Sequence, residues 1–452
     1  MPLERRGLTS RCATGSGKGS VIAVRLATPE KIRNLQKALY LRAKESPKLR
    51  FYSLYDKVYR KDVLHHAYAL CRANHGAAGP DGKTFEDIEQ SGEEALLSQL
   101  TEQLQHKKYR PGPVRRVQIP KANGGERPLG IPNIADRVVQ MAVKLVVEPI
   151  FEADFESDSY GFRPKRNAHQ ALEAVRQCIA DGLGWVIDAD VTAYFDTIPH
   201  DKLMRVVASR VVDSSMLALI KMFLVAPVID ERDGGGPCRP KAGTPQGGVI
   251  SPLLANIYLH LLDRSYRRRV ERGEFEGRLI RYCDDFVLLT RRHPARELPW
   301  LQTIMARMGL SLHPDKTRVV NARKERFDFL GYRVGWRRQQ LLLDISPKSC
   351  ARIRERLRQP TTWTFLSVDE LVAKLNRYIG GAREYFRLAP WWSLRTLDGF
   401  VSRRMAMWWK RKLGQKNPAW SRVSERKLHT EHGLISWAGT PSWDKQAACA
   451  RR

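Results

Sequence analysis

The sequence predicts an α+β protein with a helical, strongly basic C-terminal part. Three observations carry this. Short β-prone runs at about 114–119, 185–191, 281–289 and 327–332 alternate with amphipathic stretches of helical spacing. Acidic residues stand at the ends of two of those runs, at Asp190 and at Asp284–Asp285. Beyond Ser346 the β-prone runs stop, and apolar residues recur every three or four positions among many arginines and lysines.

At 452 residues the chain has room for two or three domains with sizeable cores. Its 78 Lys and Arg against 48 Asp and Glu give a formal charge of +30, spread over most of the chain. That points to a polyanionic partner held over a broad surface rather than by a basic arm. The 11 Trp, 14 Tyr and 14 Phe offer stacking surfaces for bases. The seven cysteines are scattered without a C-x-x-C pair, which suggests neither a zinc site nor a disulfide framework and fits a reducing cytosol. No run of 18 apolar residues and no N-terminal apolar segment are present, so we expect no membrane span, no secretory signal and a cytoplasmic location.

Residues 1–27, rich in Gly, Ser and Arg, read as a flexible basic tail; the run Gly15-Ser16-Gly17-Lys18-Gly19-Ser20 lacks phosphate-loop spacing. From Pro29 to about Asn74 the pattern is helical, and the run from Gly76 to Gly82 is a turn-rich loop. Leu35, Leu39 and Leu41 belong to a first helix, Tyr55, Val58, Val63, Ala67 and Leu70 to a second, and a third covers about 93–106. A strand through Val114, Val117 and Ile119 enters a hairpin with Lys121 and Arg127 on either side of its turn. These offer a point charge and a planar fork for phosphate, or simply a solvated hairpin. A helix with Val138, Met141, Ala142, Leu145 and Val146 on its apolar face follows. Residues 160–166 mix aromatic and basic groups, as a nucleic-acid contact or a loop packing its own rings.

After a helix over 169–179, residues 185–196 read as a strand that turns after its acids, with Asp188 and Asp190 on one face. His200 and Asp201 open a helix pair reaching 226, and 233–236 form a hairpin turn. The loop Gly243-Thr244-Pro245-Gln246-Gly247-Gly248 feeds a helix with Ser251 as N-cap and Pro252 as first helical residue. Two strands over 281–289 place Asp284 and Asp285 at the tip of a tight turn. Adjacent ionised carboxylates repel unless a cation or basic group joins them, and hard divalent cations take oxygen ligands. The tip therefore reads either as a metal-bound phosphoryl-transfer site or as an exposed acidic turn. Asp190 on a neighbouring strand would build a two-metal site. The C-terminal part reads as three helices: 350–358, one carrying Leu371, Leu375, Tyr378, Ala382 and Tyr385, and one over 397–413. In the last, the Trp residues are expected in the core and Arg403, Arg404, Lys410, Arg411 and Lys412 on a basic face that binds RNA.

Taken in order, these motifs resemble the reverse transcriptase/maturase proteins encoded by bacterial group II introns. The ordered motifs run from about Tyr55 to Tyr332, and a thumb-like maturase segment continues to about Trp437. The resemblance implies a right-hand polymerase fold. Residues 28–108 would be an N-terminal extension and the start of the fingers, 109–340 the fingers and palm with an antiparallel sheet, 341–440 an α-helical thumb/maturase domain, and 441–452 a tail. It implies an RNA-directed DNA polymerase that also binds group II intron RNA and assists its splicing and mobility. By the same resemblance, Asp190, the Val191 carbonyl, Asp284 and Asp285 hold two Mg²⁺ ions, with Mn²⁺ as a substitute. Lys121 and Arg127 grip the incoming triphosphate, Phe195 screens the sugar 2′ position, and Gln246 shapes the nucleotide pocket. Gly79, Asp81, Gly82, Arg163, Tyr282, Gly309, Lys316 and Gly331 fall on template and primer motifs. The implied partners are intron RNA, an RNA template with a DNA primer, deoxynucleoside triphosphates and target DNA. Two departures stand out. Cys283 replaces the Ala that many relatives carry, and Cys449 stands alone where a C-terminal HNH endonuclease would begin, so target-strand cleavage is not expected. Two other readings remain: a free-standing relative used in host defence or DNA repair, and a catalytically inactive RNA-binding splicing factor.

Overall fold

The computed structural model describes residues 26–74, 76–120, 125–230, 232, 236–415, 417 and 425–439. The expected tails and most of the turn at 233–236 lie outside the described residues. Two compact units emerge, each assembled from separate stretches. The larger holds the described residues through Ala171 together with Ala189–Arg318; the smaller holds Leu172–Asp188 and the described residues from Val319 onward.

The larger unit begins with α1 (Glu30–Glu45), α2 (Tyr55–Val58), α3 (Lys61–Ala73), α4 (Phe85–Ser91) and α5 (Glu93–Gln105). Thr84 caps α4 in a reciprocal capping box with Asp87, satisfying two backbone donors at once. Leu35, Leu39 and Leu41 lie on α1, where Leu39 is buried and Leu41 is 43% exposed. β1 (Val114–Pro120) pairs antiparallel with β2 (Glu126–Ile131), as the hairpin reading expected. A parallel third strand, β4 (Val228–Asp230), completes that sheet.

The core of this unit gathers on α6 (Ile134–Glu152), which packs against α1 and α3. Val138, Val139, Ala142, Val143, Val146, Val147 and Ile150 on it are all fully buried. Each Val or Ile contributes about 1.5–3 kcal/mol by leaving water. Beyond α7 (Ala168–Ala180) and β3 (Trp185–Ala189) come α8 (Tyr194–Thr197), α9 (His200–Ala208) and α10 (Ser214–Leu224), the last capped by Asp213. α11 (Ser251–Glu271) starts one residue earlier than expected: Ile250 is the cap, and Ser251 is helical and buried. β5 (Arg278–Tyr282), β6 (Asp285–Thr290) and α12 (Glu297–Met308) close the unit.

His260 on α11 has a buried Nδ1 without a partner and meets Phe155 edge to face at 5.6 Å. Burial pushes its pKa down to about 4; Asp263 opposes this, while Arg281, Arg264 and Arg163 reinforce it. In the unfolded chain it titrates near 6.5. Between those values the unfolded state binds more protons, so stability is lost as pH falls, by about 2 kcal/mol between pH 7 and 5. His260→Leu is expected to flatten that limb. Thermal melts at both pH values check it, and an unchanged slope would show that the folded imidazole titrates normally.

The smaller unit takes most of α7 and β3. β7 (Arg318–Asn321) follows, and Ala322 N donates to Gly184 O at 2.8 Å. β8 (Phe327–Phe329), β9 (Tyr332–Arg337) and β10 (Gln340–Ile345) form an antiparallel meander. The predicted change of composition at Ser346 is the point where β10 ends and α13 (Pro347–Arg358) begins, with Ser346 accepting from Ser349 N. α14 (Val368–Tyr385) carries a Ser367–Glu370 capping box, and α15 (Trp391–Lys412) and a short α16 (Glu425–Thr430) complete the helical part. Trp408 is fully buried and donates its indole N–H to Trp363 O, so it is core as expected.

Candidate active site

β5 and β6 pair with Tyr282 opposite Asp285, leaving a two-residue turn, Cys283–Asp284. Asp284 thus sits at the tip, whereas Asp285, also expected there, opens β6. Cys283 adopts φ +61°, a left-handed backbone that costs a non-glycine residue on the order of 1–3 kcal/mol. Something must hold it. Arg281, with no exposed surface, donates to both Asp263 oxygens, to Asn256 Oδ1 at 2.8 Å, to Ser159 Oγ at 2.8 Å and to Cys283 O at 2.9 Å. Asn256 in turn donates to Gly161 O at 2.7 Å. A Cβ on Gly161 would lie 2.4 Å from Cys283 N, so only glycine lets that strand pass beneath the turn. The mixed loop 160–166 therefore packs. Tyr160 is buried, and Arg163 spends its guanidinium on Glu152, Glu156 O and Ser159 O. Buried and fully engaged, Arg163 belongs to the framework rather than to a template surface.

β3 ends at Ala189, so Asp190 leaves the strand at its end instead of sharing a strand face with Asp188. Its backbone is pinned: Asp190 O accepts from His313 N at 2.8 Å, and Thr192 N donates to Ser311 O at 2.9 Å. Val191 bridges Leu312. Lys316, expected on the primer side, places its ammonium 2.8 Å from Asp190 Oδ2. Tyr194 joins the two acidic turns. Its hydroxyl donates to Ala255 O at 2.6 Å, and its pKa is driven well up by burial, with the Asp284 carboxylate adding to the rise and Arg281 opposing it.

A third wall comes from the loop before α11. Gln246 accepts from Arg127 Nε at 2.6 Å and donates to Asp196 Oδ2 at 3.0 Å. This ties the β1–β2 hairpin to the turn after Asp190. Gly130 N donates to Gln246 O at 2.6 Å, and a Cβ at Gly247 (φ +121°) would fall 2.2 Å from Gly130 O. Phe195 is buried, edge to face with Tyr194 at 5.6 Å. Lys121 lies outside the described residues.

Among the described residues no three His, Cys, Asp or Glu side chains converge on one point. Asp190 and Asp284 instead suit the sparser mode of Mg²⁺, which takes one or two carboxylates and completes its shell with water and substrate phosphates. Asp190 already carries a cationic partner and keeps 37% of its side chain exposed, so its donor set fits a cation with room for substrate.

Other expected contact residues have structural duties. Asp81 N donates to Asn133 Oδ1 at 3.3 Å, and Gly82 N closes the turn onto Gly79 O. Gly309 ends α12 with φ +75°. In the smaller unit, Gly331 O accepts from Ser346 N and Leu330 O from the Tyr385 hydroxyl.

Residues 119–334 match the family described as reverse transcriptase (RNA-dependent DNA polymerase), and residues 350–427 match the group II intron, maturase-specific domain. Protein YkfC of Escherichia coli (strain K12) is 34% identical over 344 residues, covering 67% of this chain and 88% of that protein. This chain belongs to the group II intron reverse transcriptase/maturase family. Group II intron-encoded protein LtrA of Lactococcus lactis subsp. cremoris is 37% identical over 215 residues, 47% of this chain. An uncharacterized 91 kDa protein in a cob intron of Schizosaccharomyces pombe is 37% identical over 189 residues, 41% of this chain. This chain spans only 35% and 23% of those two relatives.

Reverse transcriptases of this group II family depend on divalent metal, in keeping with carboxylates at both acidic turns. The maturase segment revises the basic face expected on α15. Arg404 donates to Thr361 Oγ1, Arg411 to Thr361 O, and Lys412 to Thr364 O and Leu366 O. These three also brace the segment after α13, while Arg411 and Lys412 stay exposed alongside Arg403. Sequence reasoning missed Arg281, Tyr194 and Asp196 in this group II enzyme site. For Arg281 a signal existed: a charged residue follows Leu279–Ile280 inside an apolar strand, and Asn256 and Asp263, seven apart, share one helix face.

Proposed function

We propose that this chain copies RNA into DNA at the site framed by Asp190 and Asp284, and that it binds group II intron RNA to assist splicing and mobility from a cytoplasmic location. The observation that supports this best is the link between the two carboxylate-bearing turns, from the Tyr194 hydroxyl to Ala255 O and from the next residue, Asn256, to Arg281, with Arg127 and Gln246 on the adjoining wall. We assign two Mg²⁺ ions to Asp190, the Val191 carbonyl and Asp284, with Mn²⁺ as a substitute and Asp285 supporting. When bound, such ions lower the pKa of a primer 3′-hydroxyl and offset the charge of the leaving pyrophosphate. The chain's own residues do the positioning. Arg127 is a planar fork for a phosphate; Gln246 takes its Nε alone and so orients the terminal nitrogens. Asp196 then keeps Gln246 oriented from the other side. Arg281 fixes the turn that presents Asp284.

Extension of oligo(dT) on poly(rA) with deoxynucleotides and Mg²⁺ tests the reading; absence of product from folded protein would overturn it. Phe195, packed on Tyr194 beside the Asp190 turn, is assigned to exclude the ribose 2′-hydroxyl. Phe195→Ala is expected to raise ribonucleotide incorporation by about tenfold or more relative to deoxynucleotide, within the span that one steric contact commands. A competition assay reads the ratio, and an unchanged preference would remove Phe195 from that role.

A further inference from the structure

The polymerase reading leaves a basic, aromatic groove on the larger unit unexplained. It lies between α11 and α12. One part, of 600 Å³, is lined from α11 by Ser265 and Arg269, by Arg296 at the cap of α12, and from α12 by Trp300 and Arg307. A second, of 280 Å³, continues along α11 past Arg264, Arg268 and Arg272. Both share Ser265 and Arg269, so they form one trough. The spacing is helical on both walls: 264, 268 and 272 on one, 296, 300 and 307 on the other. Each set therefore faces a single direction.

Arg264, Arg268, Arg296 and Arg307 are exposed, and none makes an ion pair among the described residues. Glu274 is the one acidic lining residue, and it is taken by Arg269. Four unpaired guanidinium groups along one trough hold a row of anions. Trp300 adds a different feature. It is part-exposed, backed by Phe275 at 5.3 Å and Tyr266 at 5.6 Å, with the Arg269 guanidinium 5.8 Å from its ring. A rigid ring beside a line of cations is the combination that takes a backbone and a base together. A protein partner would have to bring a matching row of carboxylates to these four cations. A duplex hides its base faces from such a ring.

We propose that the groove between α11 and α12 binds a single-stranded segment of RNA, with phosphates on Arg264, Arg268 and Arg296 and a base against Trp300. Choosing RNA over other polyanions rests on the RNA-handling function above; the anion trough itself does not.

The test uses the full chain carrying Arg264→Gln, Arg268→Gln and Arg296→Gln together, all surface positions. The control carries Lys37→Gln, Lys108→Gln and Lys221→Gln, an equal loss of exposed charge elsewhere on the larger unit. Anisotropy of a short fluorescein-labelled oligouridylate is followed against salt. The groove variant is expected to bind about tenfold more weakly than the control, with its logarithmic salt slope reduced by about 2, as three lost phosphate contacts on a single strand require. A blunt RNA duplex of equal length should show no excess loss. A groove variant no weaker than the control, or one losing duplex and single strand equally, would overturn the proposal. Primer extension by the groove variant separates the two readings: extension retained with RNA affinity lost places the groove apart from the polymerase site. If the unaltered chain shows no extension, the polymerase reading fails while the binding comparison still decides the groove.

Discussion

Asp190→Ala and Asp284→Ala are each expected to lower primer extension by about three orders of magnitude or more, some 4 kcal/mol in the barrier. Each removes one of two carboxylates whose turns are linked through Tyr194, Ala255, Asn256 and Arg281, and no third carboxylate converges with them among the described residues to take over. The fold should survive both. Asp190 is part-exposed, with its backbone held by His313, and Asp284 stands at a turn tip whose hydrogen bonds come from its neighbours' main chain. Single-turnover extension together with a thermal melt checks the pair. Binding of intron RNA should be retained, because the carboxylates contribute nothing attractive to a polyanion. A variant with near-normal DNA synthesis would refute the assignment. Asp285→Ala, inside β6, should cost far less.

Arg281 carries the second large effect. Arg281→Met strands Asp263 as a buried, unpaired charge and releases the Cys283 carbonyl, a loss of about 3–5 kcal/mol of stability. Stability and positioning are separable. Arg281→Met with Asp263→Leu replaces the ion pair by apolar groups, which commonly restores most of the stability. It cannot restore the hydrogen bond that holds the turn at Cys283. The double variant is therefore expected to melt near the parent and still extend primers about tenfold to a hundredfold more slowly, with the loss in kcat rather than in KM for the deoxynucleotide. Recovery of full activity along with stability would show that the Arg281 network serves the fold alone.

Elements were legible where periodicity is strong. α6, the β1–β2 hairpin and the switch from strand to helix at Ser346 follow from apolar spacing and composition. The acidic pair at 284–285 was legible as chemistry but not as geometry. Its register depends on the pairing of Tyr282 with Asp285, which a long-range network sets through Arg281. Basic residues were the least legible. An arginine looks the same in sequence whether it faces a phosphate or, like Arg163, ties down carbonyls inside the protein. Charge counts alone cannot separate these, since burial and partner choice are decided by tertiary packing.

The composition of the smaller unit bears on how the protein is made. Leu172–Asp188 belongs with residues from Val319 onward, and Gly184 waits for Ala322. A ribosome adds about 5–20 residues per second. The strand that leads directly into Asp190 therefore emerges on the order of ten seconds before its neighbours exist. Until then it is an unpaired, apolar edge within a nascent chain. The cell must shield this stretch or tolerate its delay, and pauses in translation between about 190 and 320 would lengthen that exposure. Yield of native protein should accordingly be more sensitive to codon choice there than in the helical end of the gene.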